Sequence, residues 1–247
     1  MKNKILISLF ICSLLISCKK ENAGDCFKSN GGEITVAKDL GTFRFLRVFD
    51  KININIKQGP EYKVEIVAGK NLISNIFIEN KNNVLTIKNH NKCNFVRGYK
   101  NKITVNITVP SIDTVENRGV GDIVFDAAFV QQIIVIRAEN VGDTYLNGTF
   151  QKITSASHGA GDMYVSGNCD SLFVYTFGTN FFHSLNLNVN SFVFVENISI
   201  GDCYVNAPNN GILGCNIWRA GNVYYSGNPS IINNYSDGSG KGKLIKE

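Results

Sequence analysis

"ENVGDTYLNG" occupies residues 139–148 and "HGAGDMYVSG" residues 158–167, nineteen positions later. The repetition decides the fold. The same unit recurs as RGVGDIVFD around Gly121, ENVGDTYLN around Gly142, HGAGDMYVS around Gly161, YTFGTNFFH around Gly178, ISIGDCYVN around Gly201, WRAGNVYYS around Gly221 and DGSGK around Gly240, at intervals of 21, 19, 17, 23, 20 and 19 residues. A period near twenty in β-branched and aromatic sequence describes stacked coils, each too small to bury a core alone. Each coil has room for a strand after Gly-Asp and another before the next glycine, as at 133–137 and 192–195. The glycine suits a sharp corner, where the backbone often takes a positive φ that side chains resist. The expected fold is therefore all-β: a parallel β-helix, or β-solenoid, over residues 117–241, with coils of about 20 residues.

Counted from each glycine, position +2 holds Ile123, Thr144, Met163, Asn180, Cys203 and Val223, and position +4 holds Phe125, Leu146, Val165, Phe182, Val205 and Tyr225. Strand alternation puts both on one face, and the more apolar +4 column is expected in the core. Position +3 then faces outward, with Val124 followed by the ligand-face candidates Tyr145, Tyr164, Phe181, Tyr204 and Tyr224. Exposed rings can meet a sugar or another protein. They can equally well only stabilise neighbouring strands, and the sequence leaves both readings open.

Position +1 makes an acidic corner row of Asp122, Asp143, Asp162 and Asp202. Strands about 4.8 Å apart would set neighbouring like charges at a cost of roughly 0.9 kcal/mol per pair in a water-like dielectric. A calcium ion would relieve this but wants six to eight oxygens, more than single carboxylates supply. Asp and Asn habitually accept backbone N–H bonds in their own turns, and Asn222 does that without charge, so capping is the expected role and no metal or cofactor is implied.

Before the repeats, alternation at Ile52-Asn53-Ile54-Asn55-Ile56 marks a half-buried strand, and similar runs make residues 33–116 a strand-rich N-terminal region. Residues 1–17 read as a signal peptide, with an apolar run too short to span a bilayer. Leu15-Ile16-Ser17-Cys18 resembles a bacterial lipobox, so Cys18 is the expected lipidation site and membrane attachment, with 18–32 a flexible tether. Loss of residues 1–17 lowers the formal charge from +5 to +3. No basic patch interleaved with aromatics suggests nucleic acid. Cys26, Cys93, Cys169, Cys203 and Cys215 show no metal-ligand spacing; Cys203 and Cys215 are expected as buried thiols, and a Cys26–Cys93 bridge is conceivable. His90, His158 and His183 are isolated and expected at the surface. No nucleophile elbow or phosphate loop is present, although Asp143 and Asp162 could imitate a glycosidase pair.

Two stretches together resemble one family: "DKININIKQGPEYKVEIVAGKNLISNIFIENKNNVLTIKN" (50–89), and the corners Gly119-Val120-Gly121-Asp122-Ile123 and Gly159-Ala160-Gly161-Asp162-Met163. Over about residues 40–241 the chain resembles the putative auto-transporter adhesin, head GIN domain family of bacterial surface proteins. Gly178-Thr179 lacks the aspartate and Gly221-Asn222 replaces it. The resemblance implies a β-helical, non-catalytic protein of the cell envelope; joined to the lipobox at Cys18, the expectation is an outer-membrane lipoprotein, periplasmic or surface-exposed, that recognises glycan or protein. A carbohydrate-active β-helix enzyme and a passive envelope scaffold are the alternatives.

Overall fold

The computed structural model describes residues 29–92, 102–125 and 129–247. Residues 1–17, Cys18, Cys26 and Cys93 lie outside the described residues. The alternating FLRVFD and NINIKQ segments form the two sides of one rung. They send Leu46, Val48, Ile54 and Ile56 fully inward, as a period of two requires.

In chain order the N-terminal strands are β1 (Glu33–Lys38), β2 (Phe45–Asp50), β3 (Asn53–Gln58), β4 (Lys63–Gly69), β5 (Ile76–Lys81), β6 (Val84–Asn89), β7 (Thr104–Val109), β8 (Thr114–Gly119) and β9 (Ile123–Phe125). In space the β2–β3 rung lies between two later ones. β2 pairs in parallel with β6 and β8, and β3 with β7 and β9. Antiparallel strands close this end, with β5 on β6, β4 on β7 and β1 on β4. The strand-rich region is thus stacked in register with the repeats.

The stack continues through β10 (Phe129–Ala138), β11 (Thr144–Ser157), β12 (Met163–Gly178), β13 (Phe182–Ser184), β14 (Leu187–Ser199), β15 (Cys203–Asn206), β16 (Ile212–Ile217), β17 (Val223–Ser226), β18 (Ile231–Asn234) and β19 (Leu244–Lys246). All of these pairings are parallel. One side runs β8–β10–β11–β12–β14–β16–β18. The other runs β9–β11–β12–β13–β15–β17–β19. The long strands bend between these sides and so create a short third one. A single apolar core runs through the rungs from Phe43 to Tyr225, and the fold is the expected β-solenoid.

The corner glycines are required by close approach. Gly121, Gly142, Gly161, Gly201 and Gly221 have no positive φ. A Cβ at Gly142 would lie 2.0 Å from the Gly121 carbonyl oxygen, and one at Gly161 would lie 2.3 Å from that of Gly142. Each corner sits directly on the backbone of the one before it, which leaves no space for a side chain. The carbonyls turned inward at the corners find buried amides. Asn117 Nδ2 donates to the oxygens of Gly121 (3.0 Å) and Gly142 (3.3 Å), and Asn197 Nδ2 to those of Gly201 (3.2 Å) and Gly221 (3.0 Å). Left unpaired, such buried carbonyls would each cost about 1–3 kcal/mol.

The fourth coil corrects the alignment. Met163 pairs with Phe182 and Tyr164 with His183, so Asn180, not Gly178, takes the place of the second corner glycine. Gly178 instead lies against Gly159, with a φ of 105°. In the last coil it is Gly242, not Gly240, that packs on Gly221. Counted this way, Gly121, Gly142, Gly161, Asn180, Gly201, Gly221 and Gly242 are separated by 21, 19, 19, 21, 20 and 21 residues. Phe182 consequently belongs to the +2 column and Ser184 to +4, and both are buried.

On the outer surface of the first side, the Glu116 carboxylate is 1% exposed and is held by Arg47 and by Arg118 (2.7 Å), which also reaches Glu139 (3.1 Å). Burial alone would raise its pKa. The hydrogen bonds from Arg47 and Arg118 outweigh that and hold it below the ordinary value.

Candidate recognition surface

The acidic row links neighbouring coils. Asp122 Oδ1 accepts the backbone N–H of Asp143 (3.2 Å), Asp143 Oδ1 that of Asp162 (2.8 Å) and Asp162 Oδ1 that of Phe181 (2.8 Å). After the interruption at Phe181, Asp202 accepts from Asn222 (2.7 Å) and Asn222 from Lys243 (2.9 Å). Asn53 begins the series by accepting from Asp122 (3.2 Å). Side-chain-to-backbone capping was the expected role, and its direction differs: each residue caps the next coil's turn. Phe181, on the outward strip where the other coils carry Asp or Asn, brings no acceptor.

Two residues along each strand, the outward side chains form a parallel stack of rings. Centroids are 4.9 Å apart for Tyr145–Tyr164, 4.7 Å for Tyr164–His183, 5.3 Å for His183–Tyr204 and 5.0 Å for Tyr204–Tyr224, with interplanar angles of 5–8°. His183 therefore fills the place expected of Phe181. The spacing follows from parallel strands about 4.8 Å apart in register. A sugar ring between two of these rings would need about 7 Å, two van der Waals contacts, so the interior faces are closed and only ring edges and hydroxyls face solvent. Beside them a groove of about 370 Å³ is lined by Tyr145, Tyr164 and His183 on one wall and by Asn147, Ser166, the exposed Leu185 and Asn186 on the other.

The two rows are electrostatically joined. Tyr145 Oη donates to Asp143 Oδ2 (3.3 Å), and Asn222 Nδ2 donates to Tyr224 Oη (3.1 Å). Partial burial, followed by the charge of the nearby aspartates, raises the pKa of Tyr145, Tyr164 and Tyr204. The phenols are thus kept protonated as donors well into the alkaline range.

Asp143 and Asp162, the imitation glycosidase pair, each spend one oxygen on a backbone N–H. Among the described residues no group of three or more His, Cys, Asp or Glu could hold a metal ion. Cys169, Cys203 and Cys215 are buried free thiols, and burial pushes Cys203 up to about 12. His158 stacks on Phe177 at 4.5 Å, and His90 on Phe77 at 5.6 Å. No described helix is long and apolar enough to cross a membrane.

Comparison with known proteins agrees with this architecture. The family described as putative auto-transporter adhesin, head GIN domain, matches residues 42–229. A crystal structure of a putative adhesin from Bacteroides fragilis NCTC 9343 superposes with a TM-score of 0.78 at 23% identity, covering 87% of this chain and 97% of that one. A putative adhesin from Parabacteroides distasonis ATCC 8503 gives 0.67 at 19% identity, covering 88% and 98%. A protein described as a putative lipid binding protein from the same organism gives 0.64 at 15% identity, also covering 88% and 98%. At these identities the likeness concerns the fold. No curated protein matches the chain.

Proposed function

The chain belongs to the putative auto-transporter adhesin, head GIN domain family, and from that premise we propose that it is a non-catalytic recognition module of the bacterial envelope. Cys18 anchors it as an outer-membrane lipoprotein, and the groove beside the ring stack meets a glycan or a surface protein. The observation that carries the reading is the groove itself, with Tyr145 and Tyr164 ring edges and phenolic donors along one wall and the exposed Leu185 among short polar side chains along the other. A wall of this kind buries apolar area while offering hydrogen bonds. Engagement of Asp143 and Asp162 as acceptors for neighbouring coils supports a structural role for the carboxylates.

Replacement of Tyr145, Tyr164 and Tyr204 together by alanine should abolish binding to at least one glycan or envelope protein that the wild type captures on an array, while the fold persists. Binding equal to wild type removes the groove from consideration. Incubation with acidic and neutral polysaccharides should yield no new reducing ends or unsaturated products. Products that an Asp143→Asn, Asp162→Asn variant cannot make would establish the carbohydrate-active alternative. Labelled palmitate should enter the wild-type chain and not a Cys18→Ser variant.

A further inference from the structure

The short third side of the coils carries a second, chemically different trough. Thr149, Asn168 and Asn188 stand in register in one row. Gln151, Asp170 and Asn190 form a second row, and all six are exposed. Between the rows Phe150, Cys169 and Val189 pair in register and are buried, forming a floor. Alternation explains the cross-section, because residues on either side of an inward one both point outward. Two adjoining clefts of about 340 and 260 Å³ share Asn190 and lie along successive rungs. The rows are partly fixed in advance: Asn188 Nδ2 donates to Asn168 Oδ1 (3.2 Å) and Asn190 Nδ2 to Asp170 Oδ1 (2.8 Å). Side chains already held by neighbours lose less freedom when a ligand arrives.

We propose that this trough binds a neutral polysaccharide chain laid along the solenoid axis. Carboxamides offer both donor and acceptor atoms, as sugar hydroxyls do, and they recur at about 4.8 Å per rung. Asp170 is the single charged residue of the two rows, and its sign opposes an acidic chain. Thr149, Asn168 and Asn188 lie within strands paired in parallel on both sides of β12, with an irregularity only between Cys169 and Ser171, so an extended peptide meets no open strand edge along this row. The proposal rests on the reading of the chain as a recognition module but uses none of the tyrosine stack.

The full chain, solubilised in detergent, is run in native gels containing a β-1,3-glucan, a β-1,4-mannan or an α-1,4-glucan, with polygalacturonate as the acidic control. At least one neutral polymer should retard the wild type and polygalacturonate should not. Asn168→Ala, Asn188→Ala and Asn190→Ala combined should weaken retardation at least about tenfold, as loss of a few hydrogen bonds implies. Thr149→Trp, which fills the trough from an exposed position, should do the same and serves if the triple variant is unstable. The Tyr145, Tyr164, Tyr204 alanine variant should remain retarded. The trough is overturned if no neutral polymer retards the wild type, if a folded trough variant behaves as wild type, or if only the tyrosine variant loses retardation. The last result would leave the ring-stack groove as the contact face.

Discussion

Asp143 offers the sharpest test of how the coils are held together. Its Oδ1 accepts the Asp162 N–H at 2.8 Å, and its carboxylate stands between those of Asp122 and Asp162 in the outward strip. Asp143→Ala removes the acceptor and the charge together, whereas Asp143→Asn removes the charge and keeps an acceptor. A hydrogen bond to a charged group contributes about 1.5–3 kcal/mol and a neutral one about 0.5–1.5 kcal/mol. Two like-charged neighbours one rung away cost about 0.9 kcal/mol each in a water-like dielectric before screening. For the asparagine variant the loss and the relief nearly cancel, so its stability should stay within about 1 kcal/mol of wild type. The alanine variant recovers the same relief but forfeits the bond to the Asp162 N–H and the longer, exposed one from the Tyr145 hydroxyl, and should fall below the asparagine variant by about 1 kcal/mol or more. Urea unfolding at low and high salt measures both. Raising the salt should destabilise both variants relative to wild type by a similar amount, because screening removes the repulsion that each had relieved. Equal stability of the alanine and asparagine variants at both salt concentrations would refute the idea that the side-chain oxygen ties one coil to the next.

Gly142→Ala should destabilise the chain by about 3 kcal/mol or more, since its Cβ would fall 2.0 Å from the Gly121 oxygen; thermal melting measures the drop. Glu116 has a folded-state pKa below the ordinary glutamate value, so its contribution is present above that value and is lost as pH falls through the lower folded-state pKa. Acid titration of stability should accordingly be shallower in Glu116→Gln. Cys203, pushed up to about 12 and fully buried, should react with a maleimide only after unfolding, as mass spectrometry of native and denatured samples would show.

The fold was legible because its two requirements leave marks in sequence: a corner without a side chain, and alternation on either side of it. Gly121, Gly142 and Gly161 followed by Asp-x-aromatic carry both. The fourth coil was misread because Gly178 and Asn180 both offer a plausible corner, and Phe181 and Phe182 are adjacent, so either frame finds an aromatic where one is expected. The signal that favoured the right frame was the spacing, since 17 followed by 23 residues is uneven where 19 followed by 21 is not. That shift hid His183 from the ring stack. Asn117 and Asn197 were missed because a buried asparagine at a strand end looks like any turn residue until its two carbonyl partners are in view. The amide trough was missed because Gln151, Asn168 and Asn190 fall within long strands whose bend is invisible in a periodic alignment. It is the stacking of coils that turns scattered polar residues into rows.

The corner in which each glycine rests on the backbone of the coil below makes the length of this rod a quantity set by counting. Every coil touches only its two neighbours, and all but the coil cornered by Asn180 offer the same bare ledge below and the same oxygen above. A whole unit such as residues 143–161 could be duplicated or excised in one genetic event, and the cut surfaces would still fit. The rod could then lengthen or shorten in increments of one strand spacing, with the closed N-terminal end and the remaining coils left as they are.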